Sequence, residues 1–452
     1  MSKYINSHES IDSSLLLWQE NTTQVAIEDI YDLKVHPVSS SFNEGTINFD
    51  LPPQPKGLLS NVDVITTFSI KHGTNTSKIG STDQVSVVNN IANSLWTLVD
   101  VKIDDRVSLM QSMRNAYAYQ TFFNNALNHD NVHEDYLFAS ELFLMDTANN
   151  KAESEGMVFT KTSDDHEITN DGAAKRANRV RQGKSITTFS KLHCPLLTTN
   201  KALPTALKIR ISLTRNTDAF LLLSDDSSYK LIIEDVYLLA TFQKPRDAVL
   251  KIMDDRLQKS PAIYYVTKPE IIVRPITQTS RVIRMNDLFQ EKLPKYAFFC
   301  IQGSEDFEGK ISKNPYTFIP FSKFQFYVNG TPYFADPLEI ASAAGPGAGD
   351  SRIYTENAVY LRQLYKTIGK DLRGNCLINR DNFQLNFIVG LSLTSDRCST
   401  MCNHLNLQEV ASTHLEIDIG EEKLPDDALL VIYAMYDRQI LINSERAITI
   451  VE

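Results

Sequence analysis

His129 and His133 stand four residues apart in His-Asp-Asn-Val-His, a spacing that would put two imidazoles on one helix face and suit a metal ion. No Cys and no third His lies nearby in the sequence, so the pair reads as the end of a helix instead. Cys398 and Cys402 form a C-x-x-x-C with no companion, a weak zinc signal, and read as two ordinary thiols. The acidic pairs Asp104-Asp105, Asp225-Asp226, Asp254-Asp255 and Asp426-Asp427 have the chemistry of metal sites or acid–base couples. Three of them fall where turns or strand ends are expected, positions where Asp bonds its own backbone, and Asp254-Asp255 lies on the polar face of a helix. Neither G-x-S-x-G, a phosphate-binding Walker loop nor H-E-x-x-H occurs. No catalytic, cofactor-binding or metal-ligating residue is therefore expected, and no small-molecule substrate.

One basic cluster stands out. Lys175, Arg176, Arg179, Arg181 and Lys184 place five positive charges within residues 175–184. It reads as a solvated loop in a charged insertion, the alternative being contact with nucleic acid, an anionic membrane or an acidic partner. The chain as a whole carries 55 acidic against 45 basic residues, a formal charge of −10, which excludes a protein that coats nucleic acid with its entire surface. The 22 Phe and 18 Tyr suggest a carbohydrate platform at first sight, but alternation places most of them on core faces and only 2 Trp are present.

The elements that must hold these residues are mostly strands. Composition is ordinary for a globular protein, 42% hydrophobic and 22% charged over 452 residues, enough for two cores of about 200 residues each. Strands are expected at Val62–Ile70, Leu95–Ile103, Ala206–Leu213, Tyr229–Phe242, Ala262–Pro275, Tyr296–Ile301, Lys323–Val328, Phe383–Leu393, Leu415–Ile419 and Leu429–Tyr436. In Leu207-Lys-Ile-Arg-Ile-Ser-Leu213 every second residue is apolar, the mark of a sheet with one face in a core and one in water. Helices are expected at Ser112–Leu127, Glu134–Met145, Pro245–Gln258 and Asn357–Ile368. Two stretches, Thr147–Lys184 and the Gly-rich Ala341–Ser351, read as long loops.

The five cysteines are too sparse for a disulfide framework, the start MSKYINSHES has no apolar signal region, and no apolar run reaches the ~20 residues of a membrane span. A reducing compartment is expected, which makes the sequons at Asn21, Asn75 and Asn329 chance matches.

The chain also repeats itself weakly. Phe68–Gly73 resembles Phe299–Gly303, and Val99–Asp105 resembles Gln325–Gly330, each a strand running into a tight turn. Asn115–Tyr119 resembles Asn357–Leu361, and Ala202–Ile211 resembles Lys423–Ile432. Their order is kept through the chain. Two similar β units with long excursions suggest two tandem eight-stranded jelly rolls, a mostly β fold with a few short helices in loops and linker. The division expected is an extended N-terminal arm at 1–57, a first jelly roll at 58–244, a linker helix at 245–259 and a second jelly roll at 260–452.

The ordered segments resemble a known family, the hexon-type major capsid proteins of adintoviruses and Maverick/Polinton elements. Ser94–Met110, Leu207–Leu222 and Tyr229–Ala240 carry the resemblance in the first half. Leu293–Phe299, Gly309–Phe318 with its Lys313-Asn-Pro-Tyr316, Ile378–Phe383 and Leu429–Tyr436 carry it in the second. Cys398-Ser-Thr-Met-Cys402 departs from the family pattern. The resemblance implies a double jelly roll and pseudo-hexameric homotrimers tiling the icosahedral shell of a double-stranded DNA virus. Penton and minor or cement capsid proteins would be its partners, and the virion, assembled in host cytoplasm or nucleus, its location. Two alternatives stay open: a penton or minor capsid protein of the same particle, and a β-sandwich ligand-binding module.

Overall fold

The structure, a computed structural model, describes residues 23–38, 41–73, 77–79, 85–104, 107–110, 113–146, 170–224, 227–277, 281–289, 292–309, 314–339, 351–370, 376–379, 382–383, 386–397, 405–407, 409–420 and 424–451.

Eight strands build the first half: β1 (Ile27–Val35), β2 (Thr46–Leu51), β3 (Leu58–His72), β4 (Trp96–Ile103), β5 (Val107–Ser108), β6 (Ile186–Lys191), β7 (Ile209–Arg215) and β8 (Tyr229–Pro245). They pair antiparallel as β1-β8-β3-β6 in one sheet and β2-β7-β4-β5 in the other. Eight more build the second half: β9 (Ala262–Pro275), β10 (Val282–Asn286), β11 (Tyr296–Gly303), β12 (Lys323–Val328), β13 (Thr331–Pro332), β14 (Val389–Ser392), β15 (Thr413–Asp418) and β16 (Ala428–Ile442). They pair as β9-β16-β11-β14 and β10-β15-β12-β13. Counted from the start of each half, both sets read first-eighth-third-sixth and second-seventh-fourth-fifth. That is the jelly-roll order, made twice. Short extra strands (Ser77–Lys78, Val85–Val87, Leu222–Ser224, Leu338–Glu339, Ile448–Val451) decorate the two rolls.

The alternation that announces these strands also faces them correctly. β7 buries Ile209, Ile211 and Leu213, and its counterpart β15 buries Thr413, Leu415 and Ile417, each with partly exposed residues between. The middle of β16 breaks the rule, because Leu430 to Met435 is a continuous buried run. Such a run belongs to a strand covered on both faces. Part of the cover is helix α1 (Ala116–Asn128), which leaves the first roll in the connection between β5 and β6, lies against β4 and β9, and stacks Phe123 on Tyr433 of β16. Ten of its 13 residues are buried. Helix α2 (Asn131–Glu141) follows and lies against β6.

Three further helices of ten residues or more follow, α3 (Asp171–Val180), α4 (Asp247–Lys259) and α5 (Ser351–Thr367), with shorter ones at Ile91–Ser94, Asp218–Leu221 and Ser304–Glu308. α4 stands between the two sets of strands and buries none of its residues. Asp247 in its first turn and Arg256 and Lys259 in its last complement the helix dipole. α5 occupies the fifth-to-sixth connection of the second roll, the same place that α1 holds in the first.

Several sequence expectations need correction. The stretch expected as an arm carries β1 and β2, which are integral strands of the first roll; residues 1–22 lie outside the described residues. Its prolines merely punctuate the turn after β2, whose Ile47, Phe49 and Leu51 are buried at period two. The first three repeat matches fall on equivalent positions: β3 with β11, the turns after β4 and β12, and helices α1 and α5. The fourth does not, since Ala202–Ile211 leads into β7 whereas Lys423–Ile432 leads into β16. A Leu-Pro turn before an apolar strand is too common a device to mark equivalence. Phe383–Leu393 is strand only from Val389. Upstream, the side chains of Asn382 and Asn386 bond to nearby backbone carbonyls and hold a turn in place of a ladder. Residues 170–184 are no loop: they form α3, capped by the Asn170 side chain at the amide of Ala173, and a short 3-10 turn.

Candidate functional site

The residues singled out for chemistry do not converge. His129 and His133 have rings 5.8 Å apart, but His133 Nδ1 is taken up by the Asp130 carboxylate at 2.6 Å. Burial holds His129 below the usual imidazole range. Among the described residues no three His, Cys, Asp or Glu side chains gather where a metal ion would sit. Cys398, Cys402, Asp105, Asp225 and Asp226 lie outside the described residues. Asp104 occupies a left-handed turn position, Asp254 meets Arg446 at 3.5 Å on the surface, and the Asp427 carbonyl accepts from the Ser304 amide. The buried thiols of Cys194 and Cys376 are pushed up to about 11 by desolvation, which suits packing and not nucleophilic attack.

The basic cluster is split by the fold. Arg176 points inward from α3 and is wholly buried, its guanidinium on Asp146 at 2.7 Å and on the carbonyls of Val87 and Leu144. Arg179 lies over the Phe138 ring at 5.3 Å. The expectation of five solvated charges therefore fails at its centre. A helix with period 3.6 turns one of the five toward the core, and Asp146 waits there to compensate it.

What the structure does bring together is a seam between the rolls, built in part from two segments noted above for other reasons, Asn115–Tyr119 and Lys313-Asn-Pro-Tyr316. Along α1 the aromatic side chains meet the second roll one after another. Tyr119 stacks on Phe307 at 4.8 Å, Phe122 on Tyr316 at 4.2 Å, and Phe123 on Tyr433 at 5.0 Å and on Phe318 at 5.8 Å. Hydrogen bonds fix the register of this stack. The Tyr119 hydroxyl donates to the Pro315 carbonyl at 3.0 Å, Asn115 Nδ2 to the Phe307 carbonyl at 3.2 Å, and the Ser94 and Tyr316 hydroxyls meet at 2.6 Å. Asn314 Nδ2 donates to Asp146 Oδ2 at 2.8 Å, so one carboxylate serves Arg176 of the first roll and Asn314 of the second. Gly309 closes the contact: its φ is +79°, and a Cβ there would lie 2.5 Å from the Phe220 Cα of the first roll.

Behind the seam sits a buried polar knot. Asn93 Nδ2 and Asn125 Nδ2 donate to Glu141 Oε2 at 2.9 and 2.8 Å, while Asn90 donates to Thr121 at 2.8 Å and accepts from Asn93 at 2.9 Å. Burial pushes the Glu141 carboxyl up to about 7, against the two amide donors that favour its ionised form. The arrangement joins the two rolls through stacked rings and buried hydrogen bonds.

The fold is a double jelly roll, the architecture of the major capsid proteins of several large DNA viruses and virophages. Among solved structures the chain is similar to the Sputnik virophage cryo-EM structure, with 12% identity, 99% of this chain and 93% of that chain covered, and a TM-score of 0.60. It is also similar to the mavirus major capsid protein (11% identity, 100% and 96% covered, TM-score 0.55) and the Faustovirus major capsid protein (8%, 95% and 93%, 0.57). No protein-family model matches the chain, and no curated protein sequence does so either. Identities this low speak for the fold.

Proposed function

We propose that this chain is the major capsid protein of an icosahedral double-stranded DNA virus or virus-like element. Three copies associate into a capsomer with a pseudo-hexagonal outline, and the capsomers tile the shell. One observation carries the reading: a single eight-strand topology occurs twice in the chain, joined by a seam that holds the copies rigidly. Three such chains present six similar units around one axis, so a threefold assembly meets sixfold neighbours. The likeness to capsid structures over nearly the whole of both chains supports the same conclusion. The domain division that follows is a first roll from β1 to β8, α4 as linker, and a second roll from β9 onward.

The role is structural and not enzymatic, the partners are further copies together with penton and minor or cement proteins, and the location is the virion. Kinship with the adintovirus and Maverick/Polinton kind rests on the segments quoted above. A penton role is disfavoured, since a fivefold position is filled by one roll per chain and this chain has two. With Arg176 withdrawn into the core, residues 175–184 keep four of their five positive charges for any contact with nucleic acid or membrane.

Native mass spectrometry and negative-stain imaging of the purified chain test the reading. Trimers with a hexagonal outline are expected. Pentamers would replace it with the penton role, and a persistent monomer at high concentration would end it.

A further inference from the structure

Helix α4 has an apolar side without a full cover. Val249, Leu250, Met253 and Leu257 recur along it at helical spacing, yet none of its 13 residues is buried, and Met253 stays 39% exposed. A helix of this length is marginal in water unless tertiary packing covers it. Leu250, Met253 and Leu257 look onto a groove of about 280 Å³ that separates α4 from the body of the molecule. Leu58 at the start of β3, Pro204, and Tyr264 of β9 form the far wall.

Contacts on both sides position these walls. The Arg446 guanidinium donates to the Thr205 carbonyl at 2.7 Å and meets Asp254 of α4 at 3.5 Å. Lys56 pairs with Asp247 at 2.8 Å, and the Tyr264 hydroxyl donates to the Ala202 carbonyl at 2.9 Å. Between them the exposed surface is mainly aliphatic and aromatic, which suits apolar side chains and not an ion.

The chain carries a matching segment close by. Residues 1–22, outside the described residues, hold one apolar run, Leu15-Leu-Leu-Trp18, between polar stretches. The described chain starts at the foot of α4. The Ala26 carbonyl accepts from the amide of Arg246, the residue that caps the helix, and Glu28 pairs with Lys244 at 2.8 Å. From Ala26 back to Trp18 the chain reaches at most about 26–29 Å, whereas α4 is about 20 Å long. Leu15–Trp18 can therefore reach every part of the groove. So short a tether also gives the segment a high effective concentration at its own groove, which favours it over the same segment of another copy.

We propose that Leu15–Trp18 seats in the groove of its own chain, against Leu250, Met253, Leu257 and Tyr264, and clips the linker helix to the body. The inference does not rest on the capsid reading, because groove and segment belong to one chain.

Tryptophan fluorescence of the full chain tests it. The chain has 2 Trp, Trp18 and Trp96, and Trp96 is 1% exposed, so water-exposed emission reports Trp18 alone. The parent is expected to emit in the blue and to resist quenching by acrylamide at every chain concentration. Met253→Lys is expected to shift the emission to the red and expose the Trp18 share to quencher, and adding Trp18→Phe to remove that shift. Ile252→Lys, on the outward side of α4, is expected to leave the spectrum unchanged. Hydrogen exchange gives a readout that leaves the groove intact. Replacing Leu15, Leu16, Leu17 and Trp18 together by Ser is expected to speed exchange of the α4 amides about tenfold and to leave those of β16 unchanged. A water-exposed Trp18 in the parent, a spectrum blind to Met253→Lys in a chain that still melts cooperatively, or α4 exchange untouched by the Ser variant would overturn the assignment. So would protection of Trp18 that disappears on dilution, the mark of a second copy's segment in the groove.

Discussion

At the scale of single residues, the side chains that matter most are polar and hidden. Glu141 titrates from the ordinary 4.5 up to about 7 because burial outweighs its two amide donors. Its folded-state pKa is raised, so the folded chain holds that proton more tightly than the unfolded one. The group then costs nothing below pH 4.5, and stability declines as pH rises from there through 7. The loss is on the order of 3 kcal/mol, at 1.36 kcal/mol per pKa unit. His193 acts in the opposite sense. Its folded pKa is depressed, so stability is lost as pH falls from 6.5 toward 4. Glu141→Gln is expected to be more stable than the parent at pH 8, with the difference vanishing at pH 4; urea midpoints at the two values decide it. Asp146 plays another part, as the carboxylate that pairs with the buried Arg176 guanidinium. Asp146→Ala strands the buried Arg176 cation and is expected to cost about 3–5 kcal/mol. Adding Arg176→Met should recover part of that loss, and equal midpoints for the single and double variants would refute the pairing. None of this was legible in the sequence. Arg176 was read as one of five solvated charges because its partner lies 30 residues away, and composition cannot tell an inward cation from an outward one.

Elements were far more legible, because strand periodicity is a local signal. β9 and β12 coincide with their expected spans, and β3, β8 and β16 were found but run longer than expected. The errors share a cause. β2 was hidden by the prolines that follow it, and α3 by a polar surface that obscured Ala173 and Ala177 on its buried side. α1 was legible as well, expected at Ser112–Leu127: its three residues outside the core, Gln120, Asn124 and Asn128, recur every four positions and leave a narrow polar stripe on an otherwise buried helix. Gly309 is the element-scale test. Gly309→Ala forces a left-handed alanine against the Phe220 backbone, and a loss of about 2–4 kcal/mol is expected from strain plus overpacking. An unchanged urea midpoint would show that the two rolls can part at that point without cost.

For the molecule as a whole, the duplication was visible only because turn chemistry and strand ends recur in order. The seam was invisible because it joins residues far apart in sequence. Cutting at α4 is expected to yield two halves that bind a hydrophobic dye and aggregate, since Tyr119, Phe122 and Phe123 on one side and Phe307, Tyr316 and Tyr433 on the other lose their cover. Soluble, dye-silent halves would mean that each roll completes its own surface.

The reach of α1 also bears on how the protein is made. Tyr119 and the Pro315 carbonyl it binds are 196 residues apart, a stretch that takes a ribosome about 10–40 s to synthesise at 5–20 residues per second. For that interval the nascent first roll carries an uncovered aromatic ridge in a crowded cell. Translation speed and chaperone supply, not only final stability, therefore bear on how much of the chain reaches its folded state.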